Sequence, residues 1–128
     1  MSHSKLEKSI RIIFGILIIG SGLAMLFGLI PTDMYQSQPA NHFMQAMYDT
    51  GYFYPFLAIV KIVCGLCIVT NRYSYVALII FMPVAINMVM FHLFLAPAEG
   101  LPAYLILAMN VYLMVHRLPV YRLILRKK

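Results

Sequence analysis

A lysine stands in the middle of the second long apolar run of this chain. Lys61 lies eight residues after Phe53 and nine before Thr70, with no other charge between them. If that run crosses a bilayer, the ammonium sits near the midplane, where a cation costs about 2.5–3.5 kcal/mol on insertion scales. Something must compensate it. Read at equal depth along the other apolar runs, Ser21, Asn87 and Asn110 fall at the level of Lys61, so each run contributes a polar group to a central layer. Two readings follow. Hydrogen bonds among these groups would fix helix register, each contributing roughly 0.6–2 kcal/mol. Alternatively they surround a pocket for a ligand headgroup, a quinone carbonyl or a proton. Amides and a hydroxyl alone fit the first reading, whereas a cation, where amides would serve, shifts weight toward the second.

His92 and Glu99 extend that set. His92 follows Asn87 by five residues and Glu99 follows His92 by seven, so the two align on one side of a continuous helix, although Pro97 interrupts it. They are expected to line the outer mouth of the pocket. The expected ligand-binding set is therefore Lys61, Asn87, His92, Asn110, Ser21 and Glu99. A metal site is not expected, because His116 falls at the opposite membrane face from His92 and ligand bonds of about 2 Å cannot join them.

Cys64 and Cys67 form a C-x-x-C one turn from Lys61. In a soluble fold that spacing suggests redox work. Inside an apolar helix beside Gly65, small residues that permit close packing are the ordinary explanation, and no structural disulfide is required. No Gly-rich phosphate loop, nucleophile elbow, paired carboxylates or H-E-x-x-H occurs. No self-contained catalytic constellation is present, and a partner-dependent role is expected.

The elements that carry these residues are set by composition. With 128 residues, 62% of them hydrophobic, and a mean hydropathy of +0.85, the chain has more apolar surface than one soluble core can bury. The excess must face lipid, in a single domain. Spans are expected at about 10–30, 53–70, 75–96 and 101–116, near the roughly 20 residues that cross a bilayer core. The runs lack the alternation of barrel strands, so helices follow. The fold class is all-α: a transmembrane up-and-down four-helix bundle.

Charge gives the orientation. Lys5, Lys8 and Arg11 open the chain, Arg72 marks the central hinge, and Arg117, Arg122, Arg126, Lys127 and Lys128 close it, while Asp33, Asp49 and Glu99 lie in the intervening loops. Cations retained on the cytoplasmic side put both termini there, with residues 117–128 as a basic cytoplasmic tail. The formal charge of +6 does not point to nucleic acid, since the cations flank apolar spans rather than forming a soluble face. Membrane lipids are the expected partners, through headgroup attraction of about 1 kcal/mol per cation. The first run exceeds a secretory h-region and lacks a small-residue cleavage site, so it is expected to be a retained span.

The first outer loop, residues 31–51, is long enough for structure of its own. Phe43, Ala46 and Met47 recur at helical spacing before Gly51, which predicts a short amphipathic helix that caps the bundle or gates a pocket. Gly20, Ala24 and Gly28 form a small-residue stripe, for packing within the bundle or for a homo-oligomer seam. Pro83 predicts a kink just before Asn87.

A basic start with Arg11 leads into the glycines Gly15, Gly20 and Gly22. Phe43-Met44-Gln45-Ala46-Met47 and Thr50-Gly51-Tyr52 precede the second run, Lys61-Ile62-Val63-Cys64-Gly65-Leu66 lies within it, and the third run ends near His92. In these features the chain resembles the DoxX-like family of small four-helix membrane proteins. Where many members carry a glutamate in the second helix, this chain carries Lys61. The resemblance implies an integral protein of a bacterial cytoplasmic (inner) membrane. Some relatives are membrane subunits of thiosulfate to quinone oxidoreductases, others are linked to oxidative-stress assemblies, and distant ones act as cargo receptors or chaperones. It therefore implies a quinone as the candidate cofactor and a protein partner. It carries over no catalytic residue.

Overall fold

Backbone groups surrounded by apolar side chains must bond within their own segment, which favours helices. The computed structural model describes residues 2–126 and is all-α, with no strand among the described residues. Six α-helices follow in order: α1 Ser2–Leu26, α2 Gln38–Asp49, α3 Phe53–Thr70, α4 Ser74–Leu95, α5 Leu101–Val115 and α6 Leu118–Leu125, with a single 3-10 turn at Pro97–Glu99 between α4 and α5. Lys5–Leu26, Phe53–Thr70 and Ser74–Leu95 are each long and apolar enough to cross a membrane. Helices α5 and α6 are bent by 78° at their junction and make a fourth span if the pair is counted as one.

The helices close a ring, in which α1 packs on α3, α3 on α4, α4 on α5, and α5 back on α1. The ring is filled unevenly. One end holds a core of Phe14, Ile18, Ile68, Leu78, Phe81 and Leu113. At the other end a smaller group, Met25, Met44, Tyr54 and Ala58, packs beneath α2. Helix α4 runs unbroken through Pro83.

Where the helices stop differs from the hydropathy reading, and the reasons are local. The apolar run reaches Ile30, but α1 ends at Leu26. Gly28 adopts a φ of +71°, the Leu29 amide donates to the Ala24 carbonyl at 2.8 Å, and the Gly28 amide donates to the Met25 carbonyl at 3.3 Å. This is the Schellman arrangement that favours glycine at the position after the cap. Gly28 is thus a helix stop rather than part of a packing stripe. Asn71 closes α3 in the same way with a φ of 58°. Helix α2 starts where the Ser37 hydroxyl accepts from the Ala40 amide and Pro39 occupies the first turn. Its buried residues are Ala40 and Met44, whereas Phe43 and Ala46 are exposed.

The expected stripe of small residues is also displaced. A Cβ added at Gly20 would meet nothing within 4 Å, whereas one at Gly22 would lie 2.8 Å from the Ala58 carbonyl oxygen. Contact between α1 and α3 runs through Gly15, Gly22 and Gly65, one face round from Gly20 and Gly28.

Two cations expected at the headgroup level are instead buried. Arg11 is 7% exposed and donates to the carbonyls of Ile68 and Val69 at 2.7 Å each, in the last turn of α3, where the helix dipole favours a cation. Arg117, 8% exposed, pairs with Glu7 and donates to the Leu113 carbonyl at 3.2 Å and to Asn71 Oδ1 at 3.4 Å. These contacts tie α1, the hinge between α3 and α4, and the end of α5 together. Beyond them α6 turns away with Tyr121 buried, its hydroxyl donating to the Tyr75 carbonyl at 2.8 Å, and Leu123, Ile124 and Leu125 exposed. Lys127 and Lys128, the end of the expected basic tail, lie outside the described residues.

Candidate functional site

The loosely filled end of the ring holds a half-open cavity of about 400 Å³ between α1, α2, α3, α4 and the start of α5. Lys61 borders it from α3 and is 5% exposed. Its Nζ donates to Ser21 Oγ at 2.9 Å and to Met25 Sδ at 3.4 Å, both on α1. The close approach of α1 to α3 at Gly22 brings those acceptors within reach of the ammonium. No carboxylate lies within salt-bridge distance of Lys61 among the described residues, where the one ion pair joins Arg117 to Glu7. A lysine ammonium has three donors, and a hydroxyl and a thioether leave capacity for another acceptor.

Of the residues expected at the site, Ser21, Lys61, Asn87, His92 and Glu99 line this one cavity. The Asn87 amide is exposed and makes no side-chain hydrogen bond among the described residues. His92 Nδ1 lies 2.9 Å from the Met88 carbonyl oxygen. A carbonyl only accepts, so Nδ1 carries the proton, and in the neutral ring Nε2 is left as an acceptor. Glu99 Oε1 accepts from the Gln36 amide at 3.4 Å, tying the 3-10 turn to the loop before α2.

Asn110 does not join them. It is fully buried on α5 and its amide donates to the Leu78 carbonyl at 3.3 Å, with Met82 and Met114 sulfurs each at 3.6 Å. Depth counted along a helix fixes height but not which side of the helix a residue faces, and Asn110 faces α4 in the filled half of the ring. Its Oδ1 has no hydrogen-bond partner among the described residues. His116 is also remote, packing its ring 4.3 Å from that of Tyr112 near the other end of α5. Cys64 and Cys67 are free thiols; Cys64 belongs to the filled core.

The walls around the polar groups were less legible. Met25, Met34, Met44, Met47 and Met88 all border the cavity, and thioethers conform to irregular ligands. Tyr35, Phe43 and Phe91 also border it, the Phe91 ring centroid lying 5.3 Å from that of Tyr35 and 5.2 Å from that of Phe43. Tyr35 lies in the loop before α2, where burial, and secondarily the negative charge of Glu99, raises its phenol above the ordinary tyrosine value. The loop is held by a two-way link, the Tyr35 amide donating to Asn41 Oδ1 at 3.0 Å and Asn41 Nδ2 returning a bond to the Tyr35 carbonyl at 2.9 Å. The apolar character of residues 34, 35 and 43 was a signal in the sequence, but their convergence on Lys61 depended on where the loop folds back.

An apolar chamber of this volume with a few polar groups on its wall suits a small ligand. Among the described residues there is no group of three or more His, Cys, Asp or Glu arranged to hold a metal ion. The family model described as DoxX matches residues 8–93, a stretch that takes in α1 to α4 up to His92. No curated protein and no solved structure matches the chain.

Proposed function

This chain belongs to the DoxX family, and from that premise we propose that it is a membrane protein that holds a lipid-like or quinone-like molecule in the Lys61 cavity, acting with a partner. The observation that carries the reading is a buried ammonium, hydrogen-bonded among the described residues only to a hydroxyl and a thioether, on the wall of an apolar cavity of about 400 Å³. Arg11 differs in kind, since its guanidinium donates to two backbone carbonyls in the last turn of α3, which carry the partial negative charge of a helix C-terminus. Seated there, the head of an amphiphile takes up Lys61 and Asn87, while its body lies against methionine and aromatic side chains.

In the same reading four spans run up and down through a bacterial inner membrane, with both ends of the chain on the cytoplasmic side. The distribution of Lys and Arg supports that orientation. The amphipathic α2 lies over the outer end of the cavity and closes it. Helix α6, with three exposed apolar residues ahead of Arg126, rests in the inner interface. A partner or a second copy docks on the lipid-facing helices, and a quinone-linked oxidoreductase subunit is the form this would take if the occupant is a quinone.

The reading is tested by filling the chamber. Ala103 borders it and is 1% exposed. Ala103→Phe and Leu57→Trp should each yield folded protein that, purified in mild detergent, lacks an apolar small molecule co-extracted with the wild type. If both filled variants keep the wild-type complement of small molecules, the cavity is not the binding site.

A further inference from the structure

We infer that the occupant of the Lys61 cavity carries a negatively charged head, and specifically that it is a single-chain amphiphile with a carboxylate, of the long-chain fatty acid class. This rests on the cavity reading above and goes beyond it by fixing the charge and the number of chains.

Three observations lead here. The first is the missing counter-ion. Lys61 is 5% exposed, yet its hydrogen-bond partners are the neutral Ser21 hydroxyl and Met25 sulfur. A buried charge without an opposite charge is penalised by desolvation, and an anion that reaches it removes most of that penalty. A neutral carbonyl would supply an acceptor but leave the charge uncompensated.

The second is the placement of the other ionisable groups. Glu99, His92 and Tyr35 border the same cavity, but Glu99 is engaged by the Gln36 amide at the loop end, and Tyr35 stands beside it there. Lys61 instead contacts Ser21 and Met25 within α1. A carboxylate entering the cavity is therefore repelled from the end that holds Glu99 and attracted to Lys61. The unengaged Asn87 amide offers a second donor to a head of two oxygens.

The third is size. At about 400 Å³ the chamber lies near the lower end of the roughly 300–1,000 Å³ range of small-ligand sites. That volume matches one flexible chain taken up whole. The methionine walls, Met25, Met44 and Met88 among them, suit a chain that takes several bends.

Equilibrium dialysis of the full-length protein in detergent micelles, with radiolabelled palmitic acid and, separately, its methyl ester at pH 8, tests the inference without any variant. The acid should bind at least about tenfold more tightly than the ester, the ratio given by about 1.4 kcal/mol for one charge-assisted hydrogen bond. Lys61→Met should abolish the preference and Lys61→Arg should keep it. Equal retention of acid and ester by the wild type overturns the anionic head while leaving the cavity reading intact. A preference that survives in Lys61→Met overturns Lys61 as its seat. If neither compound is retained and Ala103→Phe removes no co-extracted molecule, the inference and the cavity reading fail together.

Discussion

Gly15 and Gly65 face each other where α1 crosses α3: a Cβ added to Gly65 would stand 2.9 Å from the Gly15 carbonyl oxygen, and one added to Gly15 would stand 3.0 Å from the Gly65 carbonyl oxygen. The crossing sets how near α1 lies to α3, and so whether Ser21 and Met25 reach Lys61.

Backbone cannot yield as a flexible side chain can. Gly65→Ala is therefore expected to destabilise the protein by about 1–3 kcal/mol through overpacking, whereas Gly20→Ala, with nothing within 4 Å of the new carbon, should stay within about 0.5 kcal/mol of wild type. Thermal unfolding of both variants in one detergent checks the contrast. Equal effects would mean that the helices do not cross at Gly65.

The Glu7 and Arg117 pair links the first helix to the end of α5. Arg117 is 8% exposed and Glu7 side-chain exposure is 21%, so losing the carboxylate leaves a mostly buried cation with the neutral Leu113 carbonyl, Asn71 and the Tyr75 ring, 5.6 Å away. Glu7→Gln is expected to cost about 1–3 kcal/mol. A double-mutant cycle with Arg117→Met should show a coupling of about 0.5–3 kcal/mol. Additive losses would show that the two side chains act independently.

Asn87 and Asn110 should respond in opposite ways. Asn110 is buried with an unpartnered Oδ1, so Asn110→Leu exchanges an incompletely satisfied amide for an apolar group and is expected to be close to neutral or stabilising, with ligand retention unchanged. Asn87 makes no side-chain hydrogen bond among the described residues, so Asn87→Leu should leave the thermal midpoint of ligand-free protein near wild type and weaken retention of the bound molecule. Measuring midpoint and retention on each variant separates the roles.

Alkaline stability should depend on Tyr35. Its phenol is raised above 10.0 in the folded chain by burial and by Glu99. The sign follows from linkage: the unfolded chain ionises first, so the contribution of Tyr35 is complete below pH 10 and is lost as pH rises through the folded value. Tyr35→Phe should remove that part of the loss above pH 10 and flatten the stability curve there. An unchanged alkaline limb would mean that Tyr35 is solvated rather than packed at the cavity mouth.

Much of this organisation was legible in the residues themselves. Long apolar runs with charge confined to their ends specify helices, and a single lysine inside one run stands out because almost any other residue there would be cheaper in lipid. Depth counted along the runs put both Ser21 and Asn110 at the level of Lys61, but azimuth depends on packing: α1 turns Ser21 toward Lys61, whereas α5 turns Asn110 toward α4. Gly28 was ambiguous because glycine serves both close packing and a positive φ, and only the bonds around Met25 and Leu29 distinguish the two. Arg11 and Arg117 resemble headgroup cations by position, and their burial follows from the last carbonyls of α3 and from Glu7, contacts between segments far apart in sequence.

If Lys61 holds a molecule in the cavity rather than merely fixing two helices together, retention of that molecule depends on its ammonium. Native mass spectrometry from mild detergent compares wild type with Lys61→Met, a change that keeps an unbranched side chain one atom shorter and removes its charge and donors. The expected result is a bound small molecule on the wild type that is absent from the folded variant. An identical adduct on both, at equal occupancy, would contradict the account and leave Lys61 as a packing residue.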